Sequence, residues 1–183
     1  MTKLVIVSHP NLESSKVNQK WLEVLGNYPN EFTIHSLYHK YPDLNFNIEA
    51  EKDLLSRYDE IIFQFPMHWF STPFALKKYI DEVFTYGWAF GPGGDHLKGK
   101  KIGFAVSTGG LEESYSAPSG ISVSSLLNDF QLSFQYCGCQ ITHLHCFYGA
   151  MYEFSEEQLL SNAKEYVEAF LALGAGKSQN GLN

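Results

Sequence analysis

Leu4-Val5-Ile6-Val7 is an unbroken apolar run, stopped at once by Ser8-His9-Pro10-Asn11. A strand with no polar side has no face to turn to water. It suits a parallel sheet covered on both faces, and such sheets need helical crossovers between their strands. The chain supplies them in alternation. Trp21, Leu22, Val24 and Leu25 give helical spacing from about Ser15 to Leu25, broken by Gly26-Asn27 and Tyr28-Pro29-Asn30. Phe32 to Leu37 reads as a second strand, followed by a polar loop through Asp43. Asn47 can cap a helix over Ile48 to Arg57 that turns Leu54 and Leu55 inward. Glu60 to Phe65 is a third strand ended by Pro66, and Pro73 opens a helix to about Phe84. After a glycine-rich stretch from Gly87 to Gly99, Lys101 to Ser107 reads as a fourth strand. Leu126, Leu127, Phe130 and Phe134 recur at helical intervals over Ser122 to Tyr136, and Ile141 to Tyr148 is a fifth strand. Ser155-Glu156-Glu157-Gln158 is a capping box that opens a last helix, through Leu171.

Five strands alternating with five helices predict a three-layer α/β fold over a parallel sheet, in one domain spanning residues 1–173. Right-handed crossovers and a central first strand favour the flavodoxin-like strand order 2-1-3-4-5. The small, polar residues 174–183 are expected to form a disordered tail. Thirteen basic against twenty acidic residues leave a net charge of −7, which argues against nucleic acid as the ligand. Cys137, Cys139 and Cys146 match neither a zinc ribbon nor a CxxC motif, so no metal site is expected and the thiols read as reduced. With no membrane-length apolar run and no signal peptide, the expected location is the cytoplasm. The surplus is aromatic: 14 Phe, 11 Tyr and 3 Trp in 183 residues.

Ligands of such sheets bind at the carboxyl ends of the strands, which selects three loops. The first, Ser8 to Asn18, leads into a helix whose free N–H groups form an anion site, with His9, Ser15 and Asn18 as side-chain donors and Lys16 nearby. Plain helix capping by Ser14 or Ser15 accounts for the same residues. The second loop, Gln64 to Pro73, carries Met67, His68, Trp69 and Phe70 where strand ends are usually polar. An apolar patch there suits a flat aromatic ring, unless Trp69 and Phe70 fold back into the core. The third is Ser107-Thr108-Gly109-Gly110 with Tyr115 beyond it. Its glycines let the backbone approach a ligand closely, or form an ordinary turn. Anion site, apolar platform and glycine loop on one edge together describe a flavin mononucleotide pocket.

At these residues the sequence resembles the flavodoxin-like NAD(P)H:quinone oxidoreductases, and above all the small bacterial members that include the ancillary subunit of glutathione-regulated potassium efflux. The similarity runs from Leu4 to about Tyr148. Its most specific stretches are Ser36-Leu37-Tyr38 with Tyr41-Pro42-Asp43, Gln64 to Ser71, Asp81-Glu82-Val83-Phe84, Gly87-Trp88-Ala89-Phe90-Gly91 and Thr108-Gly109-Gly110. The resemblance implies that His9, Ser15, Val17 and Asn18 hold the flavin phosphate and ribityl end. Pro66, Met67, His68, Trp69 and Phe70 would line the isoalloxazine, largely through backbone N–H groups, and Ser107, Thr108, Gly109 and Gly110 would border its pyrimidine edge. Tyr115 matches the family tyrosine that assists hydride transfer, but Ile121 and Ser122 stand where its companion histidine would be. Trp88 and Phe90 would wall the site of a partner subunit in a homodimer. The implied activity is two-electron transfer from NADPH or NADH through bound flavin to a quinone-like acceptor. FMN is favoured over FAD, because the short C-terminus offers little to hold an adenine. The other expectations are a regulatory subunit docked on a membrane potassium-efflux protein, and a flavodoxin-type electron carrier.

Overall fold

The computed structural model describes residues 2–116 and 121–175. Its sheet has five parallel strands, β1 (Lys3–Val7), β2 (Phe32–Ser36), β3 (Glu60–Pro66), β4 (Lys101–Ser107) and β5 (Gln140–Phe147), in the expected order β2-β1-β3-β4-β5. Side chains alternate across the strands and divide the core in two. Leu4, Ile6, Phe63, Phe65, Phe104 and Val106 face α3 (Ile48–Ser56), α4 (Phe74–Val83) and α6 (Asn128–Tyr136). Val5, Val7, Ile62 and Ala105 face α1 (Lys16–Leu25) and α7 (Glu156–Ala175). At Gly103 a Cβ would lie 2.2 Å from the Phe170 ring, so this glycine lets α7 settle on the sheet.

Local chemistry explains most of the boundaries. Ser15 and Asn47 cap α1 and α3 through side-chain bonds from the N–H groups of Asn18 and Ala50. Ser155 and Gln158 exchange the two bonds of the expected capping box, at 3.1 and 2.8 Å. Three stretches differ from expectation. Residues 37–40 form a one-turn helix, α2 (Leu37–Lys40), because buried Leu37 anchors to the core a segment whose other residues look like a loop. The single helix expected over 122–136 is two, α5 (Val123–Leu126) and α6, since Leu127 leaves the helical region at ψ 8°. The last helix continues past Leu171 into the segment expected to be a tail, whose residues 176–183 lie outside the described residues.

Most of the aromatic surplus is structural. Phe63, Phe84, Phe104, Phe130 and Phe134 form one ring cluster with neighbouring centroids 4.9–6.3 Å apart. Beside it, Glu51 is 2% exposed and gathers three partners: the Tyr41 hydroxyl at 2.6 Å, the Tyr79 hydroxyl at 2.9 Å and His35 Nε2 at 3.0 Å. Burial opposes its ionisation, but bonds from His35, Tyr41 and Tyr79 outweigh that and hold its pKa below the ordinary 4.5. A carboxyl depressed on folding contributes stability above its unfolded pKa and loses it as pH falls through the folded value. Glu51→Gln should cost about 1–3 kcal/mol at neutral pH, where one phenol loses its acceptor and the other keeps only a neutral one. It should also flatten the loss of stability below about pH 4.5 in urea titrations; an unchanged acid limb would refute this role.

Candidate functional site

Because every crossover returns to the amino edge, the loops leaving β1, β3 and β4 converge at the carboxyl edge. After β1, a 3₁₀ turn (Leu12–Ser14) presents Ser15 as the cap of α1. The N–H of Asn18 goes to Ser15 Oγ and that of Gln19 to the Ser15 carbonyl. The first-turn N–H groups of Lys16 and Val17 therefore have no helical acceptor and face outward, as at any helix start. Beside them lies a cavity of about 240 Å³, lined by Ser14, Ser15, Lys16 and Val17 on one side and Ala150, Met151, Tyr152 and Phe154 on the other. Lys16 Nζ stands 6.0 Å from the Phe154 ring.

His9 is half-buried, and its Nδ1 accepts the Asn11 N–H at 3.1 Å, which leaves the proton on Nε2. Burial, and next the charge of nearby His68, lower its pKa from 6.5 to about 4. It is thus a neutral donor at physiological pH, and the first and second loops are in electrical contact.

After β3 the chain makes a two-residue turn. His68 and Ser71 exchange N–H···O bonds of 2.9 and 3.0 Å, with Trp69 at φ 48° and Phe70 at φ 61° between them. Two positive φ values are the signature of a type I′ turn, a conformation usually left to glycine and asparagine. Trp69 is 94% exposed and Phe70 59%, so neither folds back into the core. The Met67 N–H goes to the Ser107 carbonyl and the His68 N–H to Ser71. Among the bonds of the described residues none uses the N–H of Trp69, Phe70 or Thr72, so Trp69 and Phe70 at the turn's tip are open to a ligand.

After β4, Thr108 is fully buried; its N–H goes to the Phe147 carbonyl at 2.8 Å and its hydroxyl to the Gly110 carbonyl at 3.0 Å. Its donors are spent inside the protein. The N–H groups of Gly109 and Gly110 have no partner among those bonds. A Cβ on Gly110 would lie 3.2 Å from Tyr115 Cε2 and 3.3 Å from its hydroxyl, so that ring lies against the glycine loop.

The family model for a flavodoxin-like fold matches residues 1–171. This chain is a flavodoxin-like protein. It is 43% identical over 173 residues to an uncharacterized NAD(P)H oxidoreductase of Bacillus subtilis, covering 92% of this chain and 85% of that one. It is 37% identical over 172 residues to the glutathione-regulated potassium-efflux system ancillary protein of Salmonella typhimurium, covering 92% and 95%. The crystal structure of general stress protein 14 from Treponema denticola, in complex with FMN, superposes with a TM-score of 0.88 at 35% identity, covering 94% and 99%.

In this flavodoxin-like chain the edge collects His9, Ser15, Val17, Asn18, Pro66 to Phe70, Ser107 to Gly110 and Tyr115. Trp88 and Phe90 are elsewhere. Because α4 runs back across the sheet, residues 85–100 sit at the amino edge, where the Gly99 N–H bonds the Gly138 carbonyl at 2.9 Å. There Trp88 stacks on His96 at 5.4 Å and Phe90 meets Tyr136 at 5.7 Å. Sequence reasoning overlooked the segment after β5, from Gly149 to Phe154. Its Gly149 and Ala150 N–H groups bond Gly110 and Thr108, at 2.7 and 2.8 Å, and its Met151 covers Gly109. Gly149-Ala150-Met151-Tyr152, a glycine and large apolar residues at a strand's carboxyl end, was the available signal.

Two outcomes follow from this geometry. In His68→Asn, the His9 midpoint in an NMR pH titration should rise from about 4 without reaching 6.5, because burial is the larger cause; no movement would separate the two loops. Trp69→Gly should stabilise the chain by roughly 1 kcal/mol in denaturant titrations, since it relieves a left-handed backbone and removes almost no packing. A loss of stability would refute the strain.

Proposed function

We propose that this protein is a flavin-dependent NAD(P)H oxidoreductase that binds FMN at the carboxyl edge and works as a homodimer. The observation that carries the reading is one line of open donors. Lys16 and Val17 N–H with Ser15 stand at the anion end, Trp69 and Phe70 N–H in the middle, and Gly109 and Gly110 N–H at the far end. Buried Ser8 Oγ, just past the end of β1, finds no partner among the described residues. A phosphorylated, flat, acceptor-rich ring system fits that order. When bound, the flavin supplies hydride acceptance from a nicotinamide and two-electron donation to a second flat substrate.

The chain's own part is binding, orientation and charge. Neutral His9 and the start of α1 hold the phosphate, which suits a helix terminus. The Gly109 and Gly110 N–H groups and the Tyr115 hydroxyl are placed to stabilise negative charge at the pyrimidine edge. Exposed Trp69 and Phe70 border the slot where donor and acceptor take turns, and one shared slot gives ping-pong kinetics. Trp88 and Phe90 lie at the opposite edge of their own chain, so they can wall only a partner's slot. A groove of about 540 Å³ between α4 and α6, lined by Ile80, Phe84, Phe90, Leu132 and Tyr136 together with Asp81 and Asp129, gives a second copy a partly apolar surface. A quinone-like acceptor fits the aromatic border.

The cytoplasm is the proposed location. Burial raises the Cys139 thiol to about 12 and the Cys146 thiol to about 11, so both stay protonated and all three cysteines are free. Among the described residues no helix is long and apolar enough to cross a membrane. The likeness to a potassium-efflux ancillary protein supports a second reading, peripheral association with a membrane efflux protein.

The purified chain mixed with FMN should turn yellow and, without oxygen, bleach with NADH or NADPH and recover colour with a quinone. Initial rates should give parallel double-reciprocal lines, and Tyr115→Phe should slow turnover about tenfold. Failure to take up flavin would overturn the proposal, and a monomer in sedimentation would overturn the shared wall.

A further inference from the structure

β3 is apolar inside except at one place. Ile61, Ile62, Phe63 and Phe65 surround Gln64, whose side chain is wholly buried. Gln64 Nε2 donates to the Asn18 carbonyl at 3.3 Å and to Asn18 Oδ1 at 3.2 Å. Asn18, equally buried, donates from Nδ2 to Ser15 Oγ at 3.1 Å and to Ser107 Oγ at 3.0 Å, and from its backbone N–H to Ser15 Oγ at 3.2 Å. The Ser8 N–H closes the group on the Gln64 carbonyl at 2.9 Å. The end of β1, the start of α1, the middle of β3 and the end of β4 therefore meet at two amides.

The consequence concerns the proton on Ser15. A serine hydroxyl has two acceptor lone pairs and one hydrogen. Asn18 fills both lone pairs, one from its backbone and one from its side chain. The hydrogen of Ser15 must then be donated elsewhere, and Ser15 lines the anion cavity. Asn18 can fill that second lone pair only if its Nδ2 faces Ser15, and the Gln64 donor on Oδ1 fixes that orientation. A reversed Asn18 amide would set its Nδ2 against the Gln64 Nε2 donor. Gln64 Oε1 meanwhile has no partner among the described residues. An apolar residue would fill the space without that cost, so the amide is costly to keep and the orientation it enforces is its benefit.

We propose that Gln64 and Asn18 are positioning residues: they make Ser15 an obligate donor to a bound phosphate while touching no ligand themselves. This rests on the flavin reading above and departs from the expectation that Asn18 contacts the cofactor. Gln64 acts through Ser15, so its effect is confined to ligands that carry a phosphate.

The test measures FMN and riboflavin binding to the apoprotein by quenching of flavin fluorescence. It uses wild type, Gln64→Leu, Gln64→Met, Ser15→Ala and Ser15→Ala combined with each Gln64 change. Gln64→Met keeps the chain length and removes only the amide, so a folded variant is available if leucine disturbs the strand. Either Gln64 change should weaken FMN about tenfold, the scale of one charge-assisted hydrogen bond, and leave riboflavin within about twofold. In the Ser15→Ala background the same changes should weaken FMN no further. Equal losses for both flavins, or additive losses with Ser15→Ala, would overturn the positioning role while leaving the flavin reading intact. A wild-type protein that binds neither flavin would overturn both.

Discussion

Everything at the carboxyl edge depends on β1 being sealed on both faces. Leu4 and Ile6 are covered by one helical layer and Val5 and Val7 by the other, all with no exposed surface. A strand so enclosed can be entered and left only at its ends. Parallel pairing then puts the exits of β1, β3 and β4 side by side, and β1 and β3 are direct neighbours. The site is what such a sheet leaves over: adjoining loops whose backbone donors the fold does not use.

The loops are tied together as much as they are brought together. Met67 bonds Ser107, Thr108 bonds Phe147, and Gly149 bonds Gly110, which joins the second and third loops and the segment after β5 into one sheet of contacts. These bonds use up some of the donors a ligand would want and leave others free. Trp69 and Phe70 keep theirs because the His68–Ser71 pair closes the type I′ turn without them. Two bulky residues in the left-handed region are costly, on the order of 1–2 kcal/mol each. A fold selected for stability alone would place glycine there. The strain is tolerated because β3, α4 and the prolines at 66 and 73 fix the turn's ends, and it sits where a ligand would touch.

The layered fold, the strand order and the three loops were legible in the sequence because they follow from periodicity. Leu4 to Val7 requires two covered faces whatever its neighbours do. What stayed hidden depends on contacts between distant residues. Thr108 looks like an open donor until Gly110 and Phe147 are found to accept its bonds. Asn18 looks like a free side-chain donor until its amide is found bonded to Ser15, Ser107 and Gln64. Helix α2 forms from residues with loop character because Leu37 is pulled into the core, and Leu127 breaks a helix that its spacing would continue. The aromatic surplus misled in part. Position in sequence marked Trp69 and Phe70 correctly as exposed edge residues, but most phenylalanines serve the core behind β3 and β4.

Trp88 and Phe90 present a different case, because their placement follows from topology rather than packing. A crossover helix in a parallel sheet begins near the carboxyl edge and ends near the amino edge, so any segment between α4 and β4 starts at the wrong end of its own molecule. No rotation of these side chains brings them to Trp69. Their rings are nonetheless kept half-exposed, Trp88 against His96 and Phe90 against Tyr136, beside a partly apolar groove that no part of the described chain fills. On the proposed reading, a two-fold axis resolves both facts at once. It sets each copy's amino-edge aromatics against the other's carboxyl edge, and one isologous contact covers the groove and walls two slots.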